Sequence, residues 1–319
     1  MTGAAGFVGS EVVRQLIAAG MSVRALVRSR EGVADALPLS DSRLTVVVGD
    51  AVDPQAAAEL VRGAQACIHL IGIIRESGGS TFQKAHVRAT ENILAAARQT
   101  GCRRFAHMSA LGVGHDGATE YLRTKWDAER LVRSSGLEWT IFRPSMIHGL
   151  RGEFMQMAAG WATGEKAPWI FLPYFTRRVP DPTCPNGTAP EVDPVIAPVA
   201  VEDVAAAFVA CLSRPETVGE IYNLVGSQTL SWPELLTTVR DHLPDAKRNI
   251  QPWGIPGDLA AMEARTARIL GMGWALPFDE GMARMGAMDS VASTEKAQAD
   301  LGVTFRPFTP AFKNYAGQL

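Results

Sequence analysis

The feature that most constrains this chain is the alternation, through its first half, of short β-branched runs with segments of helical periodicity. Apolar runs at 22–27, 44–48, 66–71, 103–108 and 138–142 are separated by helical patterns at 7–19, 54–62, 82–100 and around 120–125. Near-continuous apolar runs of this kind suit strands buried on both faces, and strands that alternate with helices pair in parallel. The predicted fold is therefore α/β: a doubly wound parallel sheet of Rossmann type over residues 1–148. Residues 149–319 are expected to form a smaller C-terminal substrate or cap region that returns a late strand, at about 221–225, to the sheet. Further helices are expected at 202–212 and from Ser231, with Pro233 and Glu234 behind it, through His242. Seven prolines between Pro173 and Pro198, together with Asn186-Gly187, argue against helix or central strand there and for a long loop.

Only Met1 and Thr2 precede Gly3, so the strand that ordinarily leads into such a glycine turn is missing. The expectation is a natural N-terminus several residues upstream.

The run Gly3-Ala-Ala-Gly6-Phe-Val-Gly9 opens the first helical pattern. Its glycines suit a tight turn, the approach of backbone to a pyrophosphate, and close packing of the helix, whose N-terminus then faces the phosphates. At the end of the next strand an acidic residue would grip a ribose hydroxyl. Arg28 stands there instead, with Arg30 or Arg24 as helpers, and suits a 2′-phosphate, so NADP(H) is expected in preference to NAD(H). Asp50 and Ala51, after the third run, are placed to meet the adenine. Leu70, Ile71 and Gly72 end the fourth, at the carboxyl edge where open sheets bind ligands.

Tyr121 and Lys125 follow, four residues apart and twelve after Ser109. On a helix that spacing puts both side chains on one face, where an ammonium can favour the ionised phenol. The pair reads as a redox-type active site.

Composition narrows the alternatives. With 47% hydrophobic residues, 20% charged residues and a net charge of -2, the chain carries no nucleic-acid footprint. No apolar run reaches the roughly 18 residues of a membrane span. Cys67, Cys102, Cys184 and Cys211 lack metal-ligand spacing and read as reduced thiols of a cytoplasmic protein. No metal is expected. The loop at 173–198 could close over a substrate or dock a protein partner, and His148, Trp161 and Trp169 are candidate pocket walls. The stretch 260–276, with Met262, Met272 and Trp274, reads as core packing rather than a membrane or partner surface.

The chain resembles the atypical or extended short-chain dehydrogenase/reductases, of NAD(P)-dependent epimerase/dehydratase type. More narrowly it is similar to the branch that contains the NAD(P)H-binding accessory subunit of respiratory complex I. Thr2-Gly-Ala-Ala-Gly-Phe-Val-Gly9, His69-Leu-Ile-Gly-Ile73, His86-Val-Arg-Ala-Thr-Glu-Asn92, His107-Met-Ser-Ala-Leu-Gly112, Tyr121-Leu-Arg-Thr-Lys125, Thr140-Ile-Phe-Arg-Pro-Ser145 and Val199-Ala-Val-Glu-Asp-Val204 carry that resemblance. It implies Ser109 as the hydroxyl that polarises a substrate carbonyl, Tyr121 as acid/base, and Lys125 as the group that tunes Tyr121 and contacts the nicotinamide ribose. It also implies Pro144 near the nicotinamide and Phe7 and Val8 over the pyrophosphate. His86 stands where many sugar-modifying relatives carry Asn. Two functions are open: an NADP(H)-dependent oxidoreductase or epimerase of unknown substrate, cytoplasmic or peripheral at a membrane complex, and a non-catalytic NAD(P)H-binding assembly or regulatory protein.

Overall fold

The computed structural model describes residues 1–179, 189–272 and 276–319. They fall into two compact units, a division finer than 1–148 and 149–319. One comprises Met1–Pro144, Val199–Val225 and Ala292–Phe305, and the other Ser145–Pro198, Gly226–Val291 and Arg306–Leu319.

In the first unit α1 (Phe7–Ala18) buries Val8, Val12, Val13, Leu16 and Ile17, a stripe at helical spacing. Strands β1 (Val23–Val27) and β2 (Leu44–Val48) pair in parallel, Val23 opposite Leu44. Helix α2 (Pro54–Val61) starts on an Asp53 cap with proline in its first turn. Strand β3 (Ala66–His69) is followed by a π-helical turn, Gln83–Arg88, that runs into α3 (Ala89–Thr100). Next come β4 (Arg104–Met108), α4 (Glu120–Arg133), capped by the Thr119 hydroxyl, and β5 (Glu138–Pro144). A parallel ladder runs in the order β3, β4, β5 and then Glu220–Leu224, the late strand.

Met1 and Thr2 lie between the two ladders. The Met1 carbonyl accepts from Leu26 N at 3.0 Å, while Thr2 N donates to the Ile68 carbonyl at 3.0 Å and bridges His69 in parallel. Two residues thus hold the position between β1 and β3. The core below packs Leu60, Cys67, Ile93, Phe105 and Ile141. Arg104, itself buried, ties this unit together without a carboxylate: it donates to the carbonyls of Cys211 and Glu138 and to the hydroxyls of Thr140 and Thr217.

The second unit departs from expectation in several places. Phe171–Arg178 is a strand in spite of Pro173, and it lies between Gln251–Pro256 and Glu191–Val192 in a three-stranded sheet. Proline is tolerated because the antiparallel neighbour reaches only Arg177 and Arg178, so at Pro173 the strand has a single partner, opposite Trp253. The rest of the proline-rich loop, 180–188 with Cys184, lies outside the described residues, as does Trp274.

The helix Gly257–Ile269 also corrects an expectation. It buries Ala260, Ala261 and Ala264, whereas Leu259, Met262, Ile269, Leu270 and Met272 are exposed. Small residues make the core contact there, against Ala283. His148 and Trp161 are core residues of this unit. The His148 ring bonds the Tyr315 hydroxyl at 3.0 Å, Trp161 packs with Met155 and Leu172, and Trp169 is exposed. Among the described residues no helix is long and apolar enough to cross a membrane.

Candidate active site

The glycine turn is built around its own backbone. Gly3 takes φ +68°, and a Cβ on Gly9 would stand 1.9 Å from the Gly3 carbonyl oxygen. No side chain fits at Gly9, where α1 packs against the turn it follows. A Cβ on exposed Gly6 would meet only the Gly3 carbonyl oxygen, at 3.2 Å, so that side stays open. Helix α1 has no side-chain cap and no acid in its first turn. Its first N–H groups therefore lack intrahelical acceptors and aim a positive helix end at whatever anion approaches. Those features fit a dinucleotide pyrophosphate. Val8 enters the core, so it offers a phosphate only its backbone, while Phe7 is half-buried.

Arg28 is exposed just past β1, as is Arg30. Arg24 is not a helper. Its guanidinium is bound to the Glu59 carboxylate and to the carbonyls of Glu59 and Leu60 at the end of α2. Asp50 accepts the Val52 N–H at 3.1 Å, and buried Ala51 is held through its carbonyl by Asn92.

Tyr121 and Lys125 share one face of α4. Tyr121 is half-buried and boxed by Phe82, at a ring separation of 6.0 Å, and His86, at 5.4 Å, both edge-on. The π-helical turn before α3 carries His86, and such turns gather at functional sites. His86 Nδ1 pairs with the Thr124 hydroxyl at 2.8 Å, and Nε2 faces the Ile73 backbone, 3.2 Å from its nitrogen and 3.1 Å from its carbonyl oxygen.

Lys125 is buried, and its ammonium donates to the Met108 carbonyl at 3.0 Å. It lies against Gly72, where a Cβ would be 2.8 Å from Nζ. Gly72, Lys125, His86 and Tyr121 are thus brought together at the carboxyl ends of β3 and β4. An ammonium has three donors, and the Met108 carbonyl occupies one. Those left over fit ribose hydroxyls.

Burial pulls Lys125 down to about 8, against the opposing pull of the Glu129 carboxylate. Burial likewise holds His69 near 3 and His86 near 2, with Lys125 adding to both effects. The Lys125 ammonium is turned to the Met108 carbonyl. Burial alone acts on the phenol and raises it to about 12.

Ser109 directly follows Met108, whose carbonyl holds Lys125. Its hydroxyl donates to the buried Glu129 carboxylate at 2.5 Å. Glu129 is eight residues beyond Tyr121 on α4, roughly 12 Å along the axis. Ser109 shares the strand face of His107 and Phe105, two residues apart each time, and so points beneath α4. Pro144 ends β5, and its carbonyl accepts the Leu111 N–H at 2.9 Å. Glu129 and Arg143 were not read from the sequence, although Tyr121, Lys125 and Glu129 repeat a spacing of four.

Residues 3–152 match the NAD(P)H-binding family, and residues 111–195 match the family described as male sterility protein. Over residues 3–152 the chain is thus similar to NAD(P)H-binding proteins. It is 28% identical over 228 residues to the mitochondrial NADH dehydrogenase [ubiquinone] 1 alpha subcomplex subunit 9 of Mus musculus. That match takes in 70% of this chain and 55% of the relative, so the chain spans little more than half the relative's length. It is 27% identical over 275 residues to cinnamoyl-CoA reductase 1 of Oryza sativa subsp. japonica, covering 76% of this chain and 75% of the reductase. In fold it is similar to the dTDP-glucose 4,6-dehydratase of Streptomyces venezuelae, solved with NAD bound. The TM-score is 0.69 at 21% identity, over 99% of this chain and 94% of that one.

Proposed function

We propose that this protein is an NADP(H)-dependent oxidoreductase that reduces a carbonyl, with Tyr121 as the proton donor. The observation that carries the reading is the cluster of Tyr121, Lys125, His86 and Gly72 at the carboxyl edge of the sheet, beside the glycine turn. The nicotinamide, when bound, supplies the hydride. The N-terminus of α1 holds the pyrophosphate, Arg28 holds the 2′-phosphate, and Lys125 turns its free donors to the ribose. Tyr121, protonated at neutral pH because burial raises it to about 12, gives its proton to the substrate oxygen. Its hydroxyl makes no hydrogen bond among the described residues, and His86 and Phe82 fix its ring.

The test is NADPH consumption over a panel of carbonyl and nucleotide-sugar substrates, for the wild type and Tyr121→Phe. Turnover that falls by about 10²–10⁴ in the variant supports the reading.

A second reading is a nucleotide-binding assembly protein that turns nothing over. The occupation of Ser109 by Glu129 favours it, since no hydroxyl bonds Tyr121 to share a substrate oxygen. The likeness to the NADH dehydrogenase subunit points the same way. NADPH binding without turnover on any substrate of the panel would select it.

A further inference from the structure

Glu129 lies on the face of α4 that carries Tyr121 and Lys125, one turn beyond the lysine, with its side chain fully buried. A carboxylate so placed is tolerated only when its oxygens are paired. Arg143, from β5, meets it with two bonds, Nε to Oε1 at 2.8 Å and Nη2 to Oε2 at 2.6 Å, and Arg133 adds a longer contact at 3.4 Å. The Ser109 hydroxyl supplies a further bond. Ser109 directly follows Met108, whose carbonyl holds the Lys125 ammonium. One carboxylate therefore grips the strand end on which Lys125 is seated and also the helix from which Lys125 projects.

The titratable groups around Lys125 come from several elements. They are His69 on β3, His86 on the π-helical turn, His107 on β4, and Tyr121 and Glu129 on α4. Burial keeps the three histidines and the phenol neutral. Glu129 is the anion that opposes the desolvation of Lys125.

We infer that Glu129 is a positioning residue for Lys125: through Ser109 it fixes the end of β4 that holds the ammonium, and its charge keeps that ammonium protonated beside a bound nucleotide. The inference rests on the proposed reading of Lys125 as a cofactor contact.

Its test is the titration of Lys125 by NMR in full-length protein carrying isotope-labelled lysine. The chain has six lysines, and Lys125→Arg assigns the signal. In Glu129→Gln the proton affinity of Lys125 falls about tenfold, a drop of roughly one pH unit in its midpoint. In Glu129→Asp, which keeps the charge, most of that loss is recovered. Because Gln leaves Arg143 buried without its anion, the double variant Glu129→Met/Arg143→Met removes both charges together. A smaller fall is expected there, because the Arg143 cation that disfavours the ammonium is lost with the carboxylate. An unchanged Lys125 midpoint in a folded Glu129→Gln protein overturns the inference. The readout needs no nucleotide, so wild type that fails to bind NADPH would end the cofactor reading while leaving this one to be judged separately.

Discussion

The Ser109 hydroxyl donates to Glu129 at 2.5 Å, two helical turns from Tyr121. The serine that the family resemblance made a substrate-polarising group is thus bound into the support beneath Lys125. Ser109→Ala should cost about 1–3 kcal/mol in stability, the range for a hydrogen bond to a buried charge. It should also weaken NADPH binding, because the link through which Glu129 fixes the seat of Lys125 is lost. Denaturant midpoints and fluorescence titration check both, and intact stability in the variant would contradict the buried bond.

Gly9 and Gly72 both exclude a side chain, for different reasons. At Gly9 the obstacle is backbone, the Gly3 carbonyl at 1.9 Å, so Gly9→Ala should destabilise by on the order of 3 kcal/mol and abolish nucleotide binding. At Gly72 the obstacle is the mobile end of Lys125. Gly72→Ala should therefore cost less than about 1 kcal/mol while weakening NADPH binding by displacing the ammonium. Thermal unfolding beside nucleotide titration separates the two cases. Equal destabilisation would show that Lys125 is rigidly held.

Lys125 gives a signature in alkali. Its folded midpoint, about 8, lies below its ordinary value of 10.5, so between those values the unfolded chain binds more protons and stability rises with pH. Relative to Lys125→Met, the wild type should gain about 3 kcal/mol across that window. A flat difference would place the ammonium in solvent.

Acid acts through the buried histidines. His69, His86 and His107 stay neutral in the fold and charge on unfolding, so each lowers stability as pH falls below about 6.5, by up to about 1.4 kcal/mol per unit. His107 stacks on His69 at 5.5 Å, and among the described residues neither of its ring nitrogens has a hydrogen-bond partner. His107→Phe removes an unpaired polar group. The variant should match or exceed wild-type stability at pH 7 and lose less at pH 5, as read by denaturant unfolding at both values.

Much of the sheet was legible because the signals are local. Leu44–Val48 falls where its β-branched run placed it, and the capping box of Ser231 with Glu234 starts the helix at Trp232. What escaped depends on partners distant in sequence. Pro173 is acceptable in a strand only because the neighbour on one side stops at Arg177, which the local sequence does not encode. The alanine face of Gly257–Ile269 inverts the usual pattern because Ala283 comes close there. At the site, spacing gave Tyr121 and Lys125 one face. It could not say that Lys125 would turn to Met108, or that Ser109 would find Glu129, since both depend on where the end of β4 meets α4.

The decisive measurement is a fluorescence titration of the protein with NADPH and NADH, run on wild type and Arg28→Ala. Arg28 is exposed past β1 and makes no hydrogen bond or ion pair among the described residues, so its guanidinium is available to a 2′-phosphate. NADPH should bind more tightly than NADH in the wild type, and Arg28→Ala should erase that preference with little change for NADH. Equal affinities in the wild type would refute the NADP(H) assignment, and failure of both nucleotides to bind would refute the cofactor site itself.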